Sequence, residues 1–188
     1  MCLIGLLVWL QINGTAKLVA LGSLALVAAY PFMKRITWWP QAWLGLVFSW
    51  GALVGWLAII PQFHWAMLLL YLGSIFLVIG YDTIYALQDK EDDALVGIRS
   101  SALRLGDNVR SGVLLFYLVA LGSWAAAFWM LRPQWLGLVA LVPVGLHLFW
   151  QVATLKSGDG DDALAKFRSN RFAGLLMFLA CLVLGQAG

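Results

Sequence analysis

The chain has 188 residues, of which 63% are hydrophobic and only 11% charged, with twelve Lys or Arg against nine Asp or Glu. A mean hydropathy of +0.88 lies far outside the mix of a soluble domain, and a formal net charge of +3 gives no indication of nucleic-acid binding. The class is an integral membrane protein, and an all-α one: the bilayer core offers no water to backbone groups, and barrel strands would show shorter, alternating segments.

Apolar runs cover 1–12, 18–33, 41–60, 64–84, 112–131, 135–154 and 172–187. Most approach the ~20 residues a helix needs to cross ~30 Å of hydrocarbon. The expected architecture is a polytopic transmembrane helical bundle, about six full spans plus a partial N-terminal helix, forming one transmembrane domain over 1–188. The run from Met1 to Ile12 is too short to span and lacks the basic residues that open a secretory signal, so it reads as the rear half of a helix. Pro31, Pro40, Pro61 and Pro133 punctuate span ends, whereas Pro143 falls inside a run and should kink it. Of the eleven Trp, Trp38, Trp39, Trp43, Trp65, Trp129 and Trp135 lie near expected helix ends; interfacial anchoring explains most of the Trp, the alternative for some being the lining of a lipid-substrate groove. Cys2 and Cys181 read as buried thiols, and His64 and His147, without ligand partners at helical spacing, as packing or hydrogen-bonding residues.

Ten of the twelve basic residues fall in alternate connections: Lys34 and Arg35; Lys90, Arg99, Arg104 and Arg110; Lys156, Lys166, Arg168 and Arg171. The other connections hold only Lys17 and Arg132. The positive-inside rule makes the basic side cytoplasmic, in an expected bacterial inner membrane. No Asp or Glu precedes Asp82, and all nine acids lie on or beside the basic side. That side is the expected working face, suited to anionic headgroups or phosphorylated substrates.

The acids concentrate in the segment from Tyr81 to Asp93. At about 100° per residue, Asp82, Asp89 and Asp93 share a narrow stripe with Tyr85 beside it, while Glu91 points away. Asp89 and Asp93, one turn apart, can reach a shared hard cation such as Mg²⁺, which takes oxygen ligands and is commonly held by one or two carboxylates plus substrate phosphates. Asp82 ends an otherwise apolar helix, where an ionisable group is costly unless it has a function. The second acidic group, Asp159, Asp161 and Asp162, lacks the twelve-residue loop of a calcium site and reads as a solvated turn.

The pattern Asp82-x-x-Tyr85-Ala86-x-x-Asp89-x-x-x-Asp93, followed by Gly97-Ile98-Arg99-Ser100-Ser101-Ala102, resembles the second aspartate-rich motif of the UbiA family of intramembrane aromatic prenyltransferases. Upstream, Tyr30-Pro31-Phe32-Met33-Lys34-Arg35-Ile36-Thr37-x-x-Pro40-Gln41-x-x-Leu44-Gly45 is similar to the loop of those members that prenylate 4-hydroxybenzoate. The likeness extends from about residue 17 to the end and includes Phe167-x-x-Asn170-x-x-x-Gly174. It implies a helical bundle around a cavity, with a polyprenyl diphosphate gripped through Mg²⁺ and 4-hydroxybenzoate prenylated at its ring in ubiquinone synthesis. It also implies roles: Asp89 and Asp93 as metal ligands, Asp82 completing the catalytic acidic face, and Lys34, Arg35, Tyr85 and Arg99 as substrate-binding residues. The bilayer is the expected surrounding, with no protein partner.

The family's first motif, Asn-Asp-x-x-Asp-x-x-x-Asp, has no counterpart. The expectation is therefore the C-terminal portion of a longer enzyme, weakly active or inactive alone. Alternatives are another UbiA-type prenyltransferase, or a noncatalytic lipid-binding or transport protein. A conduction path, however, wants charge at mid-span, and the span interiors here are nearly uncharged.

Overall fold

The computed structural model describes residues 2–186, apart from the side chains of Cys2, Lys34, Glu91 and Asp92. Among the described residues all regular structure is helical: α1 (Cys2–Gln11), α2 (Gly14–Ile36), α3 (Pro40–Ile59), α4 (Trp65–Tyr85), α5 (Lys90–Leu95), α6 (Ser101–Leu105), α7 (Val109–Leu131), α8 (Trp135–Ala140), α9 (Val142–Thr154) and α10 (Gly160–Gln186), with a 3₁₀ turn (Gly106–Asn108) joining α6 to α7. Among the described residues six stretches are long and apolar enough to cross a bilayer: within α2, α3, α4, α6 through α7, α8 through α9, and α10. The chain is a multi-pass membrane protein whose spans sit on the apolar runs.

Helix ends follow from local chemistry. The Asn13 side chain accepts from Ala16 N at 3.0 Å and its amide donates to the Leu57 and Ala58 carbonyls at 2.6 and 3.1 Å, so one residue caps α2 and pins it to the end of α3. His64 Nδ1 accepts from Ala66 N at 3.1 Å at the start of α4, and its ring stacks on Trp56. Pro143 does more than kink its span: the helix breaks at Leu141, and the proline takes the first turn of α9, where its missing N–H costs nothing. Pro31 departs from the expectation, since α2 continues past it to Ile36 and carries Lys34 and Arg35 as helix rather than loop.

α4 is the central element, packed against α3, α7 and α10. The packing depends on three glycines. A Cβ at Gly45 would lie 2.9 Å from the Ile75 carbonyl oxygen of α4, and one at Gly73 would lie 2.5 Å from the Trp124 indole and 2.9 Å from the Ala120 carbonyl oxygen of α7. A Cβ at Gly80 would overlap the Tyr117 ring. Gly73 and Gly80, like Tyr117 and Trp124, are seven residues apart, so two aromatic side chains of α7 slot into two gaps on one face of α4. Hydrophobic exclusion between helices is absent in lipid, and close approach at small residues supplies the dispersion contact instead.

Trp43 corrects the anchoring assignment. Its Nε1 donates to the Leu26 carbonyl at 2.8 Å, and seven residues on Trp50 Nε1 donates to the Val19 carbonyl at 2.8 Å. Both indoles of α3 fasten α2 from within the membrane, and Tyr71 of α4 does the same to α3 through the Leu46 carbonyl at 3.0 Å. Trp129 and Trp135, 43% and 73% exposed and in edge contact at 5.5 Å, fit the interfacial belt. Cys181 is exposed rather than buried, the same turn of α10 placing Ala180 instead in the core; the Cys2 side chain lies outside the described residues.

The link into α10 is not a bare solvated turn. Asp159 caps the helix by accepting from Asp162 N at 3.1 Å, and Asp162 accepts from Lys156 N at 2.8 Å and pairs with Lys166, itself only 4% exposed. Two of the three acids are thus committed to the start of α10.

Candidate functional site

The three basic connections meet on one side of the bundle. Arg99 Nη1 donates to the Ile36 carbonyl at the end of α2 at 2.8 Å, and its guanidinium lies over the Trp38 ring at 5.4 Å. Ser101 N donates to Gln41 Oε1 at 3.1 Å, and Ser101 shares a 2.7 Å hydrogen bond with Thr83. Gln41, Thr83 and Ser101 are all buried, and their bonds lock α3, α4 and α6 together beneath the surface.

Above that lock lies a narrow cleft of about 80 Å³ lined by Tyr30, Pro40, Gln41, Asp82, Tyr85, Ala86, Asp89, Asp93 and Ser100. α4 stops at Tyr85, although the stripe assumes helical spacing through Asp93. Ala86 through Asp89 form a turn, and α5 begins at Lys90. The stripe nonetheless persists, because the turn stays close to helical geometry: Ala86 N bonds to the Asp82 carbonyl at 2.9 Å and Asp93 N to the Asp89 carbonyl at 2.8 Å. After α5 the chain must reverse. Gly97 does so at φ +71, with Ile98 N reaching the Asp93 carbonyl at 2.9 Å in the pattern of a Schellman stop. Glycine is needed there, since a side chain is strained at that φ.

The structure therefore brings Asp82, Tyr85, Asp89 and Asp93 to one cleft. Asp89 is exposed, whereas Asp82, Tyr85 and Asp93 are half-buried. The Tyr85 ring is held from behind by Phe167 of α10 at 4.7 Å between centroids, and Tyr81 lies at 5.7 Å from the same ring. Arg99 does not line the cleft; it clamps the end of α2. Arg35 is exposed in the last turn of α2. The Lys34 side chain and the Glu91 side chain lie outside the described residues. Tyr30, Gln41 and Ser100 join the cleft without having been singled out as site residues, although all three stand in the sequence patterns quoted above. A larger cavity of about 520 Å³ lies on the far side of the same turn, lined by Leu87, Gln88, Lys90, Ser157 and Gly160 among others. Among the described residues no carboxylate lines it, whereas Asp82, Asp89 and Asp93 line the smaller cleft.

The carboxylates of the cleft offer oxygen donors only, and although three line it, no three His, Cys, Asp or Glu among the described residues stand close enough to hold one metal ion together. That suits a hard cation held by one or two carboxylates with waters and phosphate completing its shell, and does not suit a closed zinc site.

The UbiA prenyltransferase family profile matches residues 1–182. The chain is 40% identical over 186 residues to 4-hydroxybenzoate polyprenyltransferase, mitochondrial, of Arabidopsis thaliana, covering 98% of this chain and 46% of the relative. It is 43% identical over 183 residues to the proteins of the same name from Drosophila melanogaster (97% and 46%) and Homo sapiens (95% and 48%). The chain thus spans about half the length of the curated relatives it matches, and no solved structure matches it. With the aspartate stripe, the Gly97 stop and the long family match in agreement, the chain belongs to the UbiA prenyltransferase family.

Proposed function

We propose that the acidic cleft binds the diphosphate of a polyprenyl diphosphate, and that the chain serves transfer of the prenyl group to the ring of 4-hydroxybenzoate in ubiquinone synthesis. The observation that carries the reading is the joint placement of Asp82, Tyr85, Asp89 and Asp93 around one cleft on the basic side of the bundle. The relatives' names supply the substrate class. Asp89 and Asp93 would hold Mg²⁺, with Asp82 completing the acidic face. When bound, the ion neutralises charge on the departing diphosphate. In the reaction the allylic C–O bond breaks with its electron pair leaving on pyrophosphate, the ring carbon ortho to the hydroxyl bonds to the allylic carbon, and the ring loses a proton.

Lys34 and Arg35, at the basic end of α2, are proposed to meet the diphosphate or the benzoate carboxylate, for which a guanidinium fork is suited. Arg99 acts at one remove by fixing that helix end. Placement in a bacterial inner membrane with the cleft facing the cytoplasm is likewise a proposal from the charge asymmetry; the relatives' names say mitochondrial.

The test is calorimetric titration of pyrophosphate into the 188-residue protein in nanodiscs, with and without Mg²⁺. Binding should require the ion and weaken by about tenfold or more in Asp89→Asn and Asp93→Asn, the loss of a charged ligand being worth at least ~1.4 kcal/mol. Equal binding without Mg²⁺, or unchanged binding in both variants, overturns the reading. With so few carboxylates gathered, turnover of prenyl diphosphate and 4-hydroxybenzoate by this chain alone is expected to be slight, and steady product formation would refute that.

A further inference from the structure

Behind the cleft, α7, α9 and α10 share a buried polar cluster that the proposed chemistry does not use. Gln151 is fully buried and Tyr117 is 2% exposed. Tyr117 Oη donates to Gln151 Oε1 at 2.6 Å. The Gln151 amide nitrogen lies 3.0 Å from Ser169 Oγ, 3.2 Å from Asn170 Oδ1 and 3.2 Å from His147 Nε2. Asn170 in turn donates to the Lys166 and Phe167 carbonyls at 3.2 and 3.1 Å. A primary amide away from water is costly unless its donors and acceptor are all met, and here one side chain satisfies itself on two neighbouring helices at once.

The cluster touches α4 from two directions. The Tyr117 ring fills the gap over Gly80, and Phe167, whose own carbonyl Asn170 holds, packs its ring on Tyr81 and Tyr85. Tyr85 lines the cleft. Rotating α10 by one residue would move Phe167 by about 100° around the axis and off the Tyr85 ring. The polar bonds fix that rotation, which apolar contacts along a lipid-facing helix leave loosely specified.

We infer that Gln151 and Phe167 are positioning residues: the Tyr117–Gln151–Asn170 cluster sets the rotation of α10, so that Phe167 braces Tyr85 and holds the turn Ala86–Asp89 and the start of α5 in the shape that gathers Asp82, Asp89 and Asp93. The link to diphosphate rests on the function proposed above; the brace itself does not.

The experiment has a ligand-free arm and a binding arm, both on the full chain in nanodiscs. In the first, amide hydrogen exchange is followed over residues 85–95 in Gln151→Met, Tyr117→Phe and Phe167→Leu. Gln151→Met should speed exchange there by about 3- to 20-fold, the range expected from an interhelical hydrogen bond in a membrane, while α2 keeps its protection. Tyr117→Phe, which deletes one hydroxyl and keeps the ring, gives a smaller change in the same segment and guards against a folding failure of the first variant. Because the two residues act in series, the double variant Gln151→Met/Phe167→Leu should exchange no faster than the worse single variant.

In the second arm, affinity for pyrophosphate with Mg²⁺ should fall in parallel with lost protection. Unchanged exchange over 85–95, or effects of Gln151→Met and Phe167→Leu that simply add, would each overturn the inference, as would lost protection with full pyrophosphate affinity where Asp89→Asn and Asp93→Asn do weaken that affinity. If exchange responds as expected while Asp89→Asn and Asp93→Asn bind pyrophosphate like the parent, the brace is supported and the proposed function is what fails.

Discussion

Gly73→Ala is the sharpest probe of what holds the bundle together. A Cβ at that position lies 2.5 Å from both Cδ1 and Nε1 of Trp124 and 2.9 Å from the Ala120 carbonyl oxygen. Comfortable separation between carbon atoms is about 3.5–4.0 Å, so the helices must part by roughly 1 Å or the indole must turn. Neither relief is cheap. One obstacle is backbone, and Trp124 is 1% exposed with no open space to swing into. Overpacking of this kind costs typically ~1–3 kcal/mol, and the absence of a yielding neighbour places it near the upper end. Against this, replacing a mid-helix glycine with alanine returns about 1 kcal/mol of helix propensity. The net expectation is destabilisation of about 1–2 kcal/mol, read by SDS titration in mixed micelles. Gly122→Ala on α7, where a Cβ meets nothing within 4 Å, keeps only the propensity gain and should be neutral or stabilising by up to ~1 kcal/mol. Trp124→Leu should partly rescue Gly73→Ala. If Gly73→Ala proves as stable as the parent, or if the two glycine substitutions behave alike, the account of α4–α7 packing is wrong.

Trp50→Phe keeps an aromatic ring but deletes the bond to the Val19 carbonyl, and should lower stability in the same titration by about 0.6–1.7 kcal/mol; no loss would mean that ring packing alone joins α2 to α3. Asp162→Ala strands the ammonium of Lys166, which is 4% exposed, so it should destabilise by about 1–3 kcal/mol, while Asp162→Ala/Lys166→Met recovers much of that loss. A double variant no better than the single would show that the charge pair is not what matters there. Asn13→Ala removes a helix cap and two bonds to α3; a loss of about 1–2 kcal/mol is expected, and a change below a few tenths would contradict the pinning role.

The spans were legible in the sequence because hydrocarbon imposes one dominant rule, and each apolar run of sufficient length became a crossing. The aspartate stripe was legible too, though by a premise that failed in detail: the helix stops at Tyr85, and the register survives only because the turn after it keeps near-helical hydrogen bonds. Trp43 was misread because nothing in its position distinguishes an indole facing the headgroups from one facing the Leu26 carbonyl. Gln41 and Gln151 were passed over for the same reason: a lone amide in an apolar run shows its value only when its partners on other helices are known. Arg99 was read as a substrate contact from the resemblance, whereas its geometry is decided by an available carbonyl at the end of α2 and the face of Trp38.

The aromatic side-chain bonds among α2, α3 and α4 share a direction. Trp43 and Trp50 of α3 donate backward to α2, and Tyr71 of α4 donates backward to α3. The acceptors are backbone carbonyls, which a lone helix already satisfies internally, whereas the side-chain N–H or O–H has no outlet in lipid until a neighbour arrives. α3 and α4 thus each carry an aromatic donor that the helix made just before satisfies, so for these contacts synthesis order and pairing order coincide, whereas the Asn13 amide of α2 waits for the end of α3; a permuted version, with α3 made before α2, would hold its two indoles unmatched in the bilayer until α2 arrived.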